Sequence, residues 1–412
     1  MQAKAHTQEE PRYGWVMVAL AALYMGVGSG SLGAIGVFLK PLVTEFGWLR
    51  GDATFAYLAG AAAMGVGGIL MGYLTDRFSA RPIVFFGSLA LGVSLLLLSK
   101  IDALWQLYLL FMLLGGLGSG SFDTPMLTSM GAWFSARKGL ALGIATAGRS
   151  LGQGLVPFGA GVLIAQVGWQ QSYFVLGVMV LAVLAPAAIL IRQAPVAVQT
   201  GGALAGHSRM DSLPFSPTRM MWFVGIAAIF CCLTMATPMV NVVALARDLG
   251  IGEEEAAGIL LVIFMAGFVG RVTFGALADR IGGFHAYFAA SALQTALVFF
   301  FTQVSSATGF YLLAIAFGFG FSGVMTSIVI IVREWFPLRR RGLTQGVVLF
   351  LAWIGMGLGG WQGGYFFDLS GGYVLPFANA ALSGVVNLVL VGGFILMLSR
   401  RGVTTRPAFA TA

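Results

Sequence analysis

The chain has 412 residues, of which 58% are hydrophobic and only 9% are charged. Soluble globular domains carry about 25% charged residues, so this composition excludes a soluble enzyme or binding module and points to a polytopic membrane protein. The net charge of +8 is read through its distribution among loops, as a topology signal, and gives no reason to expect nucleic acid.

Residues 1–12 are polar, and the first apolar run is too long for the h-region of a leader peptide, so it reads as a true span. Twelve apolar runs long enough to cross a bilayer are predicted near 14–39, 54–74, 82–99, 104–133, 140–164, 171–192, 220–245, 256–277, 284–303, 308–332, 343–366 and 374–398. Residues 193–218, rich in Gly, Ser and Pro, read as a cytoplasmic linker. The expected organisation is therefore all-α: an N-terminal six-helix half (1–192), the linker (193–218) and a C-terminal six-helix half (219–412). The 59 glycines fit close helix approach in a membrane. Cys231 and Cys232 are adjacent in one apolar run. They offer neither metal-ligand spacing nor a disulfide framework.

With the N-terminus inside, 17 of the 23 Lys and Arg residues fall on the cytoplasmic side, and only Lys40, Arg50, Lys100 and Arg247 fall outside. The asymmetry puts both termini in the cytoplasm, as for a multi-pass protein of the inner (plasma) membrane. Only Arg149 and Arg271 remain, both inside spans.

The halves repeat. Gly72-Tyr-Leu-Thr-Asp76-Arg77 after the second span returns as Gly275-Ala-Leu-Ala-Asp279-Arg280 after the eighth, an offset of 203. Trp133-Phe134 before Arg137-Lys138 returns as Trp335-Phe336 before Arg339-Arg340-Arg341, an offset of 202. Two separate motifs at nearly one offset indicate a duplicated unit, with a substrate site expected near the midplane between the halves.

Two charges lie deep on consecutive spans. Asp123 is ten residues before Trp133 and Arg149 is ten after Gly139, so each is roughly 15 Å from the intervening hinge and near the middle of a ~30 Å core. Charge at that depth is costly unless paired or facing water, which predicts a buried ion pair lining a path through the membrane.

The repeated G-x-x-x-D-R element, with twelve spans and a central linker, resembles the signature of the major facilitator superfamily. The resemblance implies that Gly72, Asp76 and Arg77, with Gly275, Asp279 and Arg280, form the cytoplasmic gate. Within that superfamily the chain is similar to monocarboxylate transporters and the oxalate–formate group. The likeness rests on Tyr13-Gly14-Trp15 with Gly36-Val-Phe-Leu-Lys40-Pro41 and Phe46-Gly47-Trp48, on Pro125-Met-Leu-Thr128 with Gly131-Ala-Trp133-Phe134, and on Gly270-Arg271-Val-Thr-Phe-Gly275. It implies a transported organic anion. The sequence departs from those relatives at Gly267, where an acid is common, and in having no Lys or Arg from Gly342 to Phe367.

Arg271, about 12 Å inside Asp279, is expected to fork onto a substrate carboxylate, or else to hydrogen-bond helix carbonyls or snorkel to the cytoplasmic side. Asp123 is subject both to burial away from water and to the neighbouring charge of Arg149, so it reads either as a proton-coupling group or as a fixed structural partner. Arg149 itself is a second candidate for substrate binding. Tyr24, Asn241, Gln345 and Trp353 are polar or aromatic residues that a cavity would use. No His lies in mid-span, and Gly115-Gly-Leu-Gly-Ser-Gly lacks the Lys-Ser/Thr of a phosphate loop, so no cofactor and no enzyme activity are expected. The expected protein is a monomeric secondary transporter of a small organic anion, a monocarboxylate moved with a proton, within a lipid bilayer. The alternatives are an exporter or exchanger of a drug-like or other metabolite, and a sensor built on a transporter fold.

The orientation is testable. Single cysteines at Arg137 or Arg339, in a background lacking Cys231 and Cys232, are expected to resist a membrane-impermeant thiol reagent in intact cells. Ready labelling there would overturn the topology.

Overall fold

The structure, a computed structural model, describes residues 12–134, 138–193 and 216–401. Most of the predicted linker and the Arg137 hinge lie outside the described residues, as do the side chains of Asp76 and Arg339.

Among the described residues the chain forms helices and no strands. In order they are α1 (Tyr13–Phe46), α2 (Arg50–Arg77), α3 (Ala80–Leu98) and α4 (104–133). After α5 and α6, treated next, come α7 (Pro217–Asp248), α8 (Glu253–Ile281), α9 (283–302), α10 (Ala307–Trp335), α11 (Leu338–Ser370) and α12 (Val374–Arg400). Length and hydropathy alone give 11 apolar helices, because Gly143–Leu190 counts as one piece of 48 residues. Such a helix would be about 72 Å long, more than twice the hydrocarbon thickness. Gly168 divides it with φ 81° and ψ 169°, a conformation that is essentially glycine-only. The result is α5 (138–167) and α6 (169–190), and twelve crossings as the sequence predicts. The helices overshoot the predicted apolar runs, α1 to residue 46 and α11 back to residue 338. Hydropathy marks the hydrocarbon core, whereas helices continue through the interfacial layers.

The internal repeat is visible contact by contact. Tyr108 Oη donates to the Asp52 carbonyl at 3.0 Å, and Tyr311 Oη donates to the Glu255 carbonyl at 2.9 Å. A Cβ added at Gly115 would overlap the Gly60 carbonyl, and one at Gly318 would overlap the Ile263 carbonyl. These pairs stand 203 residues apart. Further along, Gly118 packs on Leu91 and Gly320 on Leu293, at an offset of 202. The offset changes between residues 116 and 118, inside the π-helical turn Leu114–Ser119 of α4. The matching part of α10 is plain α-helix. A π-turn absorbs one extra residue without disturbing the helix on either side. The two motif offsets differ by the same one residue.

The halves meet along two long seams and one short one. Antiparallel α2 and α11 pack through Gly51 on Tyr365, Gly357 on Leu58 and Gly65 on Phe350. Helices α5 and α8 pack through Gly161 on Ala257 and Gly154 on Leu261 and Phe264. The last third of α1 reaches α7, where Gly36 abuts the Val240 carbonyl. With an even number of crossings, the start of α1 and the end of α12 lie at one end of the bundle, the terminal end. The opposite end is the distal end.

The insertion account gives a direct test. Deleting Leu117, an exposed residue of the π-turn, is expected to leave a monodisperse protein with a near-wild-type melting temperature, because both flanking packing sites keep their register. Deleting Gly320 from α10 has no such slack and is expected to abolish folding. Equal damage by the two deletions, measured by size exclusion and thermal melting, would contradict the account.

Candidate functional site

Two glycine–arginine steps aim the buried cations. On α5, Gly148 presses its backbone on Ala22 of α1, and Gly152 presses on Gly26 one turn later. This contact fixes the rotation of α5, and Arg149, about 100° further round, turns away from α1. Its guanidinium pairs with Asp123 of α4 and stands 5.9 Å from the Trp353 ring of α11. On α8, Gly270 lies against Phe319 and Ser322 of α10, and Arg271 likewise turns away from that contact. It reaches across the seam, where Nη1 donates to the Thr146 carbonyl of α5 at 3.3 Å. Thr146 is three residues before Arg149, on the same side of α5.

The ion pair is largely enclosed, with side-chain exposures of 17% for Asp123 and 19% for Arg149. Arg149 Nε and Arg271 Nε are both buried and have no hydrogen-bond acceptor among the described residues. The two cations also feel each other electrostatically. Guanidinium does not deprotonate in proteins, so this group carries two positive charges against one carboxylate. A low-dielectric interior magnifies that imbalance. Contributions come from α4 and α5 of one half and α8 and α11 of the other, so the group straddles the division between halves.

The other predicted site residues divide by position. Trp353 joins the group through Arg149. Gln345, two turns closer to the terminal end on α11, has a buried Nε2 with no acceptor among the described residues. Tyr24 is fully buried within the N-terminal half, its ring tilted against Phe122 at 5.2 Å and its hydroxyl donating to the Leu184 carbonyl of α6 at 2.5 Å. Asn241 is also fully buried. It bonds the Thr237 carbonyl at 2.9 Å and the Gly360 carbonyl of α11 at 3.3 Å, tying α7 to α11. Neither is brought to the arginine group.

At the terminal end, Gly72 lies on the Thr124 methyl, and Gly275 faces the equivalent Thr326 methyl. Arg77 is exposed, with its guanidinium 4.7 Å from the Tyr73 ring centroid. Asp279 and Arg280 are exposed and enter none of the ion pairs among the described residues.

The distal end holds a polar lock that sequence reasoning missed. Asp248 of α7 pairs with Arg50 at 2.6 Å and Lys40 at 3.2 Å, both from the other half. Asp368 of α11 caps the start of α2, accepting from Arg50 N at 3.1 Å and Gly51 N at 2.6 Å. The Arg50 guanidinium lies 3.9 Å from the Phe367 ring centroid. Three of the four cations assigned outside, Lys40, Arg50 and Arg247, enter ion pairs here. The signal was present as acids at the matching loop ends, but the halves had to be docked before the pairs could be read.

The model of the Major Facilitator Superfamily matches residues 16–304 and 222–410. Monocarboxylate transporter 13 of Rattus norvegicus is 27% identical over 411 residues, covering 98% of this chain and 94% of its own. The agnestins efflux protein AgnL12 of Paecilomyces divaricatus is 25% identical over 337 residues, covering 82% and 75%. An uncharacterized MFS-type transporter, YcxA of Bacillus subtilis, is 24% identical and covers 92% and 95%. A solved bacterial homolog of the human lysosomal transporter Spinster, in an inward-facing and occupied conformation, superposes with a TM-score of 0.71 at 15% identity, covering 97% and 100%. With twelve crossings, a duplicated six-helix unit and a family match over nearly its whole length, this chain belongs to the major facilitator superfamily.

Proposed function

We propose that this transporter moves a small organic anion, a monocarboxylate, by proton-coupled alternating access. The observation that carries the reading is the charge imbalance between two arginines and one carboxylate, with an Nε on each arginine that has no acceptor among the described residues. A monoanion would neutralise the excess charge and supply the missing acceptors. Arg271 and Arg149 are assigned to the carboxylate. Gln345 and Trp353 line the approach, and Tyr24 and Asn241 act from behind as packing supports. Similarity to named monocarboxylate transporters supports the anion class.

Asp123 is assigned to proton coupling. Its partner Arg149 is also a substrate ligand in this reading, so an arriving anion competes with Asp123 for the same guanidinium. A carboxylate that loses its cation is more easily protonated. Asp76, Arg77, Asp279 and Arg280, with Gly72 and Gly275, serve the gate at the cytoplasmic end. The distal lock then closes the outside, and the terminal end faces the cytoplasm of a cell bounded by its inner membrane. The unit works as a monomer.

Arg271→Lys is expected to impair uptake of a carboxylate in proteoliposomes while expression stays near normal, because an ammonium lacks the planar fork. Wild-type affinity in Arg271→Ala would sink the anion assignment. The ion pair is tested separately. Asp123→Asn and Arg149→Gln are each expected to destabilise the protein, since stranding one member of a buried pair costs ~3–5 kcal/mol, and the double variant should recover much of the loss. If Asp123 carries the proton, the double variant exchanges substrate but does not accumulate it against a gradient. Normal accumulation would leave the pair a structural role only.

A further inference from the structure

A groove of about 530 Å³ opens at the distal end, on the outer side of the α2–α11 seam. Its walls come from both halves. Asp52 and Phe55 of α2 and Tyr108 of α4 stand on one side, with Trp361, Tyr365 and Asp368 of α11 on the other. The four rings form a continuous aromatic surface. Phe55 lies edge-on to Tyr108 at 5.0 Å and to Trp361 at 6.4 Å, and Trp361 is 5.1 Å from Tyr365.

Both charged groups in this lining are carboxylates, and no basic side chain contributes to it. Asp368 is occupied in capping α2. Asp52 is exposed, and its carboxylate enters none of the ion pairs among the described residues. Aromatic faces and carboxylates share one preference, for a cation. Rings around a carboxylate make the environment that recognises organic ammonium groups.

Depth identifies the source of that ammonium. The 33 residues of α11 would extend about 50 Å, longer than the ~30 Å hydrocarbon core and the 40–45 Å bilayer with its headgroup layers. Asp52 lies in the first turn of α2 and Asp368 in the last turn of α11, at headgroup level. Leu49 and Leu369 on the rim are 59% and 64% exposed, apolar surface suited to the first methylenes of an acyl chain. Trp105, nearby at the start of α4 and 63% exposed, fits the aromatic belt of a membrane interface.

We propose that this groove binds the ammonium headgroup of a zwitterionic phospholipid, with Asp52 as counter-ion and Trp361 and Tyr365 as the cation-facing rings. Because the groove is built half from each half of the bundle, a bound lipid favours the arrangement in which the distal end is closed. The site is separate from the arginine group and does not rest on the identity of the cargo.

Native mass spectrometry on the full chain tests this. Protein is extracted from nanodiscs of phosphatidylglycerol containing either phosphatidylethanolamine or a neutral glycosyl diacylglycerol. Wild type is expected to retain one additional phosphatidylethanolamine per monomer and no glycolipid. Asp52→Asn, an exposed change that leaves the fold intact, should lose that retention, as should Trp361→Leu, while Asp52→Glu keeps it. Equal retention of the two lipids by wild type, or undiminished retention in Asp52→Asn, would overturn the site. Ethanolamine or choline binding as tightly as the lipid, in discs of phosphatidylglycerol alone, would overturn the lipid as its source.

Discussion

Two guanidiniums and one carboxylate, held where α4, α5, α8 and α11 converge, are the constraint on which the middle of this bundle depends. Arginine keeps its charge in any environment a protein offers, and each buried Nε lacks an acceptor among the described residues. Burying such a group is costly unless it is paired and hydrogen-bonded. Asp123 compensates one of the two cations. The Thr146 carbonyl gives Arg271 a single dipole, which does not neutralise it. The excess positive charge is therefore built into the fold, at a place to which both halves contribute.

Glycine is what makes that convergence possible. Close backbone approach between α1 and α5, and between α8 and α10, locks the rotation of the two arginine-bearing helices. Along the α2–α11 seam, Gly364 lies against the Arg50 carbonyl and Gly51 against Tyr365, which brings Asp368 within reach of the first amides of α2. Carboxylate at a helix N-terminus is favourable both as a hydrogen-bond acceptor and against the helix dipole. The distal lock thus combines ion pairs with a backbone cap supplied from the opposite half. Separating the halves at that end would expose all of these groups together, so the end opens or closes as a unit.

Much of this was legible in the sequence because membrane burial leaves strong traces. Apolar runs marked the crossings, and Asp123 and Arg149 announced a pair by sharing a depth. The one-residue difference between the motif offsets of 203 and 202 matches the extra residue of the π-turn in α4, although the offsets alone do not say where an extra residue sits. Other features depend on helix rotation, which hydropathy hardly encodes when a helix is apolar all round. Tyr24 and Asn241 were candidates by residue type, and each faces a neighbouring helix instead of the arginine group. The lock between Asp248, Asp368, Lys40 and Arg50 joins residues some two hundred or more positions apart. It follows from docking the halves and from no local pattern. The break at Gly168 lay between two runs correctly separated by hydropathy, but only its backbone angles show how sharply α5 ends.

The central claim is that the excess positive charge selects the ligand. Thermal melting of purified protein against pairs of matched compounds, each a monocarboxylate and its primary amide, tests it most directly. The acids differ from the amides in charge while keeping their shape. A ligand that binds the folded state raises its melting temperature with concentration. The account predicts stabilisation by at least one acid, none by its amide, and loss of the effect in Arg271→Gln. Equal stabilisation by acid and amide, or stabilisation only by cationic compounds, would contradict it.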